Sequence, residues 1–152
     1  MNKLDLSSVT EAICRFQTVG KLLDVRPLER GHIHDTFVSR WQDDTKQYQF
    51  IHQRMNRQVF SDLERLMENI HTVSVHMVNR LGDNGADGFE PLRLVPTKDN
   101  EAFVQSDNGA WRTYVFIENT SSYDQCQSED QAYEAARAFG WFQSQLRDLA
   151  PE

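Results

Sequence analysis

Covalent staples are scarce in this sequence. Its 152 residues include two cysteines, Cys14 and Cys126, near opposite ends of the chain, whereas disulfide scaffolds are dense in cysteine. Long apolar runs are missing too: no stretch approaches the ~18 residues a membrane-spanning helix requires. The opening residues Met1 to Ser8 lack the apolar core of a secretory signal. Basic charge is in deficit, with 16 Lys+Arg against 23 Asp+Glu, a net −7. That argues against nucleic acid as a partner, because phosphate contacts supply most of such affinity. These deficits predict a soluble, cytoplasmic protein with neither membrane nor nucleic acid as partner. What remains is ordinary globular material, 39% apolar and 26% charged. A chain of this size buries roughly 68–70% of its unfolded surface and makes one domain, or one plus a fragment of another.

Periodicity divides the chain into elements. Ser8 with Glu11 has the form of a capping box, and Ala12, Ile13 and Phe16 follow it, so a short helix is predicted over 8–18 with Gly20 beyond its end. Leu22 to Leu28 reads as an irregular strand demoted to an edge by Pro27. Thr36 to Trp41 and Tyr48 to Arg54 alternate as half-buried strands do, and short connections make the three an antiparallel meander. Ser61 and Glu64 form a second capping box. Leu63, Met67, Ile70, Val73, Met77 and Leu81 then recur at steps of three and four, predicting a helix over 61–81, about 31 Å long. Segments 92–95, 101–105 and 111–117 read as three more strands, with turns at Asp99-Asn100 and Asp107-Asn108-Gly109. A polar linker, 119–127, precedes a third capping box at Ser128 and Gln131. Beyond it Ala132, Ala135, Phe139, Phe142, Leu146 and Leu149 form a narrow apolar seam that calls for a covering surface.

The order of helix, three strands, long helix, further strands, linker and helix is that of the small lobe of protein-kinase-like phosphotransferases. Four segments sharpen the likeness: Glu29 to Phe37, Phe50 to Asn56 with Val59-Phe60, Leu66 to Ile70, and Gly109 to Glu118. With Ala138 to Gln143 they resemble, in order and spacing, the start of N-acetylhexosamine 1-kinases, in the broader aminoglycoside phosphotransferase and choline kinase-like group. The resemblance spans nearly all of this chain and well under half of the family's usual length. It implies ATP-dependent phosphorylation of the anomeric hydroxyl of an N-acetylhexosamine, with Mg²⁺. The family's catalytic Asp lies in an H-x-D-x-x-x-x-N loop, and its metal is held by that loop's Asn and a later Asp. No H-x-D occurs in these 152 residues, so neither a catalytic base nor a Mg²⁺ ligand is assigned, and the chain alone is expected to be inert.

The resemblance also distributes roles over residues. Gly31, His32, Ile33, His34, Asp35 and Thr36 become the phosphate-covering loop, which works by aiming backbone N–H groups at phosphate oxygens. By itself the segment reads equally as a hairpin turn. His32 becomes a contact to a sugar hydroxyl, against the alternative of a turn histidine bonded to local backbone. His32 and His34 stand two apart, as metal ligands on a strand can, but no third ligand lies nearby in the sequence and no metal site is assigned. Either Gln53 or Arg54 faces the nucleotide, where kinases carry a lysine. Glu68 is preferred over Glu64 as the partner of Arg54 on the long helix. Tyr114, Phe116, Ile117 and Glu118 form the adenine hinge. Trp111 beside Arg112 reads as a sheet tryptophan rather than an aromatic–basic patch, and His71 and His76 take no site.

The resulting expectation is an α+β protein: a kinase-like N-terminal lobe over 1–118, a hinge over 119–127, and the first helix of an incomplete C-terminal lobe over 128–152. It would be the nucleotide-covering portion of a sugar kinase, self-associating through the helix 132–149, most simply as a two-fold dimer. The alternative is a non-catalytic module that binds a nucleotide or a protein. A third reading, an acid–base cluster of His32, His34 and Asp35 acting without ATP, has no further support in the residues.

Overall fold

The alternating segments of the first half do form a meander. The computed structural model describes residues 5–28, 33–82, 85 and 88–149. Among these the elements run α1 (Leu6–Ile13), β1 (Lys21–Pro27), β2 (Asp35–Gln42), β3 (Gln47–Arg54), α2 (Leu63–Leu81), β4 (Leu94–Val95), β5 (Val104–Ser106), β6 (Gly109–Val115) and α3 (Glu129–Gln145). The six strands make one antiparallel sheet in which β1, β2, β3, β6 and β4 lie side by side, with β5 also paired to β6. The fold is α+β. No described helix is long and apolar enough to cross a membrane.

The chain divides into two compact units, Met1–His71 with Leu92–Phe116, and Thr72–Pro91 with Ile117–Glu152. The first holds the whole sheet. β1 is its edge strand, so Pro27, which cannot donate to a ladder, sits where no second neighbour needs its N–H. Gly20 opens β1 at φ +85, and a Cβ there would lie 2.3 Å from the Gln42 carbonyl oxygen. It is a close-approach glycine at the sheet rather than a helix stop. Two apolar clusters lie on opposite sides of β6, as the alternation of Ala110 and Trp111 requires. Trp111 joins Phe37, Trp41 and Phe50 under Val9, Ile13 and Phe16, the α1 side. Ala110 joins Met55 with Leu63 and Met67 of α2.

Two helix starts differ from the sequence reading. α1 begins at Leu6 after Asp5, which has extended backbone and makes no side-chain cap, so Ser8 falls inside the helix. It ends at Ile13, well before residue 18. Phe16, which continues the helical spacing, instead bridges to Thr97, and Gln17 N–H donates to the Pro96 carbonyl at 2.9 Å. Full burial of the Phe16 ring rewards that departure. At α2 the cap is one residue later than expected: Asp62 Oδ1 accepts the Arg65 N–H at 3.0 Å.

In the second unit Ser128 caps α3 as its spacing predicts, accepting the Gln131 N–H, while Gln131 Oε1 accepts the Gln127 N–H at 2.7 Å. The packing face of α3 is not the apolar seam. Trp141 stacks on Phe89 with centroids 4.0 Å apart, Arg137 lies over the same ring, and the Gln145 carbonyl receives His76 Nε2 at 2.8 Å. Arg80 adds an ion pair to Asp148 at 2.8 Å. Residues 137, 141 and 145 are four apart and share one helix face. The expected seam is mostly turned outward: Ala132, Ala135, Phe139 and Phe142 are exposed, Phe139 to 64%. Leu146 and Leu149 are half-buried but lie past the helix end.

Candidate functional site

Antiparallel register brings three polar residues into one row on the α2 side of the sheet. Thr36 of β2 lies opposite Gln53 of β3, and Gln53 lies opposite Arg112 of β6. Residues directly opposed across strands share a face. A directional chain of hydrogen bonds follows: Arg112 Nε–H donates to Gln53 Oε1 at 3.0 Å, and Gln53 Nε2–H donates to Thr36 Oγ1 at 3.4 Å. Arg112 Nη1 also approaches Met67 Sδ of α2 at 4.0 Å, and its guanidinium lies 5.3 Å from the centre of the Tyr114 ring, two residues on and on the same face. Arg112 is only 8% exposed. Among the described residues it forms no ion pair with a carboxylate. Burial pulls its pKa below the ordinary arginine value and raises that of Tyr114.

His34 stands two residues before Thr36. Its ring stacks on Phe60 with centroids 5.5 Å apart, and Nδ1 accepts the Asn56 N–H at 3.2 Å. An accepting Nδ1 places the proton of the neutral ring on Nε2. Burial foremost, then the Arg112 charge, push His34 below the usual histidine range, and Asp35 only partly opposes them.

One residue along each strand, the opposite face begins. Asp35 lies opposite Arg54, and Arg54 opposite Trp111. Arg54 Nε donates to Asp35 Oδ2 at 2.7 Å and Nη2 donates to the same oxygen. Gly109, at φ +119, leaves room for the arm of Arg54: a Cβ there would stand 3.0 Å from its Cδ. The pairing of Arg54 with Glu68 expected from the sequence is not formed. Arg54 is engaged on the α1 side, and Glu68 is exposed on α2. Gln53, not Arg54, therefore shares a face with α2. Deeper on the α1 side His52 is fully buried between two hydroxyls, Ser39 Oγ at 2.6 Å and Thr113 Oγ1 at 2.8 Å, and Trp41 Nε1–H donates to Ser39 Oγ at 2.7 Å. Burial pushes the His52 pKa down to about 3.

The other residues singled out by sequence fall as follows. Gly31 and His32, the glycine of the phosphate loop and the sugar contact, lie outside the described residues. Ile33 is exposed. Tyr114 is buried in β6, Phe116 N–H donates to the Gln49 carbonyl at 3.1 Å, and the Ile117 carbonyl accepts the Thr120 hydroxyl. Glu118 is exposed, followed by Asn119 at φ +57. Phe116 and Ile117 belong to different units. Among the described residues no group of three or more His, Cys, Asp or Glu fits a metal ion, so no Mg²⁺ step is assigned to them. Trp111 is a buried sheet tryptophan, as its sequence context suggests, but Arg112 beside it is buried on the other face. The available signal was a guanidinium between Ala110 and Tyr114 on the same strand face, where alternation calls for an apolar or satisfied side chain. No protein-family model matches the chain.

Proposed function

We propose that the sheet-bearing unit is the nucleotide-covering lobe of an ATP-dependent sugar phosphotransferase acting on the anomeric hydroxyl of an N-acetylhexosamine. The observation that carries this reading is the arrangement of that unit. A three-strand meander leads into one long helix before β4 to β6 complete the sheet, and the chain leaves β6 into a polar linker. In the kinase-like lobe that this order resembles, the first hairpin connection covers the phosphates, and the segment after the last strand holds the adenine. On this reading those positions are the connection that leads through His34 into Asp35 and Thr36 of β2, and the stretch Tyr114 to Glu118. Gln53 takes the strand position facing α2. Phosphoryl transfer is mostly positioning and charge stabilisation, and with no H-x-D among these residues their share is binding and orientation. The exposed Tyr133 and Phe139 of α3 support the self-association that belongs to this reading.

The test is thermal unfolding of the protein with and without Mg-ATP. A ligand bound only by the folded state stabilises it by about 2.7 kcal/mol at one hundred times its Kd, so a rise in Tm that saturates with ATP is expected. No shift at millimolar ATP would leave the protein-binding module as the better reading.

A further inference from the structure

We propose that Arg112 is an oxyanion-binding residue, with Gln53 and Thr36 orienting its guanidinium on the α2 face to receive a phosphate group of a nucleotide's polyphosphate. The identity of the ligand rests on the nucleotide reading above, while its charge and geometry rest on the site itself. Arginine offers five N–H donors in a planar fork that matches a phosphate edge. Among the described residues Arg112 meets this demand with one amide oxygen, a weakly accepting thioether and the face of the Tyr114 ring. A buried cation ordinarily has an ionised partner, because desolvation is otherwise uncompensated. The acid nearest in the chain to this row, Asp35, is engaged by Arg54 on the opposite side of the sheet.

What the protein does supply to Arg112 is orientation. The bond from Nε to Gln53 Oε1 fixes the plane of the guanidinium, and Thr36 in turn steadies the Gln53 amide. The row ends at Thr36, near the start of β2. His34, neutral and with its proton on Nε2, adds no competing charge there. Among the described residues the set around Arg112 is thus made of neutral members alone, and an anion would complete it.

The experiment compares wild type, Arg112→Met and Arg112→Lys in titrations with tripolyphosphate, ATP and adenosine, followed by calorimetry and by the Arg112 side-chain Nε–H NMR signal. Arg112→Met is expected to weaken tripolyphosphate and ATP about 10- to 100-fold, the range for losing hydrogen bonds to a charged group. Arg112→Lys should recover part of that loss, and adenosine binding should not change. If ATP binds Arg112→Met as tightly as wild type, the assignment of Arg112 falls and the nucleotide reading survives. If tripolyphosphate binding depends on Arg112 but the adenosine moiety adds nothing to affinity, the anion site stands and the nucleotide reading falls. Should the Met variant not fold, the wild-type signal decides, since an Arg112 Nε–H resonance unmoved by saturating tripolyphosphate overturns the proposal.

Discussion

The two faces of the central strands solve the same problem in opposite ways. Each carries a polar row across β2, β3 and β6 at positions where an apolar sheet would place aliphatic side chains. On the α1 face the row is Ser39, His52 and Thr113, with Trp41 donating into it. Every member is neutral, and each finds a partner in the row. On the α2 face the row is Thr36, Gln53 and Arg112. It ends in a cation without a paired acid among the described residues. Neutral polar groups cost little to bury once hydrogen-bonded, whereas a buried charge needs an ionic partner. The first row therefore completes a core, and the second leaves a demand that an anionic ligand satisfies.

That contrast yields measurable differences. The largest belongs to the α1 face. Trp111→Ala removes a fully buried ring from its cluster and should lower stability by about 3–5 kcal/mol in urea unfolding. Its indole N–H has no partner among the described residues, so the loss is one of packing; a change below about 1 kcal/mol would show that α1 does not seal that face. Next comes acid sensitivity. The folded His52 pKa is depressed, so between the unfolded value near 6.5 and about 3 only the unfolded chain takes up the proton. Stability is then fully present above pH 6.5 and falls by about 1.4 kcal/mol per pH unit below it, and the lowered His34 pKa acts with the same sign. Urea midpoints between pH 6.5 and 4.5 that stay level would mean His52 is protonated in the folded state.

Smaller still is Asp35→Asn, which strips the carboxylate from half-buried Arg54. It should cost about 1 kcal/mol, near the upper end for exposed pairs and well short of buried ones. Arg112→Met on the opposite face should cost about 0.5 kcal/mol or less in stability, because it exchanges a buried charge with no paired acid among the described residues for a side chain suited to Met67 and Ala110. If Arg112→Met proves the more damaging of the two, the contrast between the faces reverses and Arg112 is a structural residue.

Much of this fold was legible in the residues. Alternation located β2 and β3 to within one residue of each end, and the three- and four-residue steps of Leu63 to Leu81 outlined α2. Ser128 with Gln131 marked the start of α3, because that cap is made from local atoms alone. The failures have two sources. Ser8 and Ser61 have the form of cap residues, but the helices start after Asp5, which makes no side-chain cap, and after Asp62, whose carboxylate does. The Phe16 spacing suggested more helix until a distant bridge to Thr97 claimed it. In α3 the seam from Ala132 to Phe142 was the more apolar stripe, yet packing ran through Arg137, Trp141 and Gln145, whose partners lie on a separate stretch of chain.

The candidate site shows the same division. By itself the sequence determined that β3 has two faces and that Gln53 and Arg54 lie on different ones, because successive strand residues point oppositely. It could not determine which face meets α2. That choice depends on where the helix docks and on the register of β2 and β6 against β3. Tertiary structure decided it by pairing Arg54 with Asp35 and opposing Gln53 to Arg112. The period of a strand is local geometry, but the partner of a charge is set by residues far away in the chain, and charge partnership is what separates a closed core from a binding site.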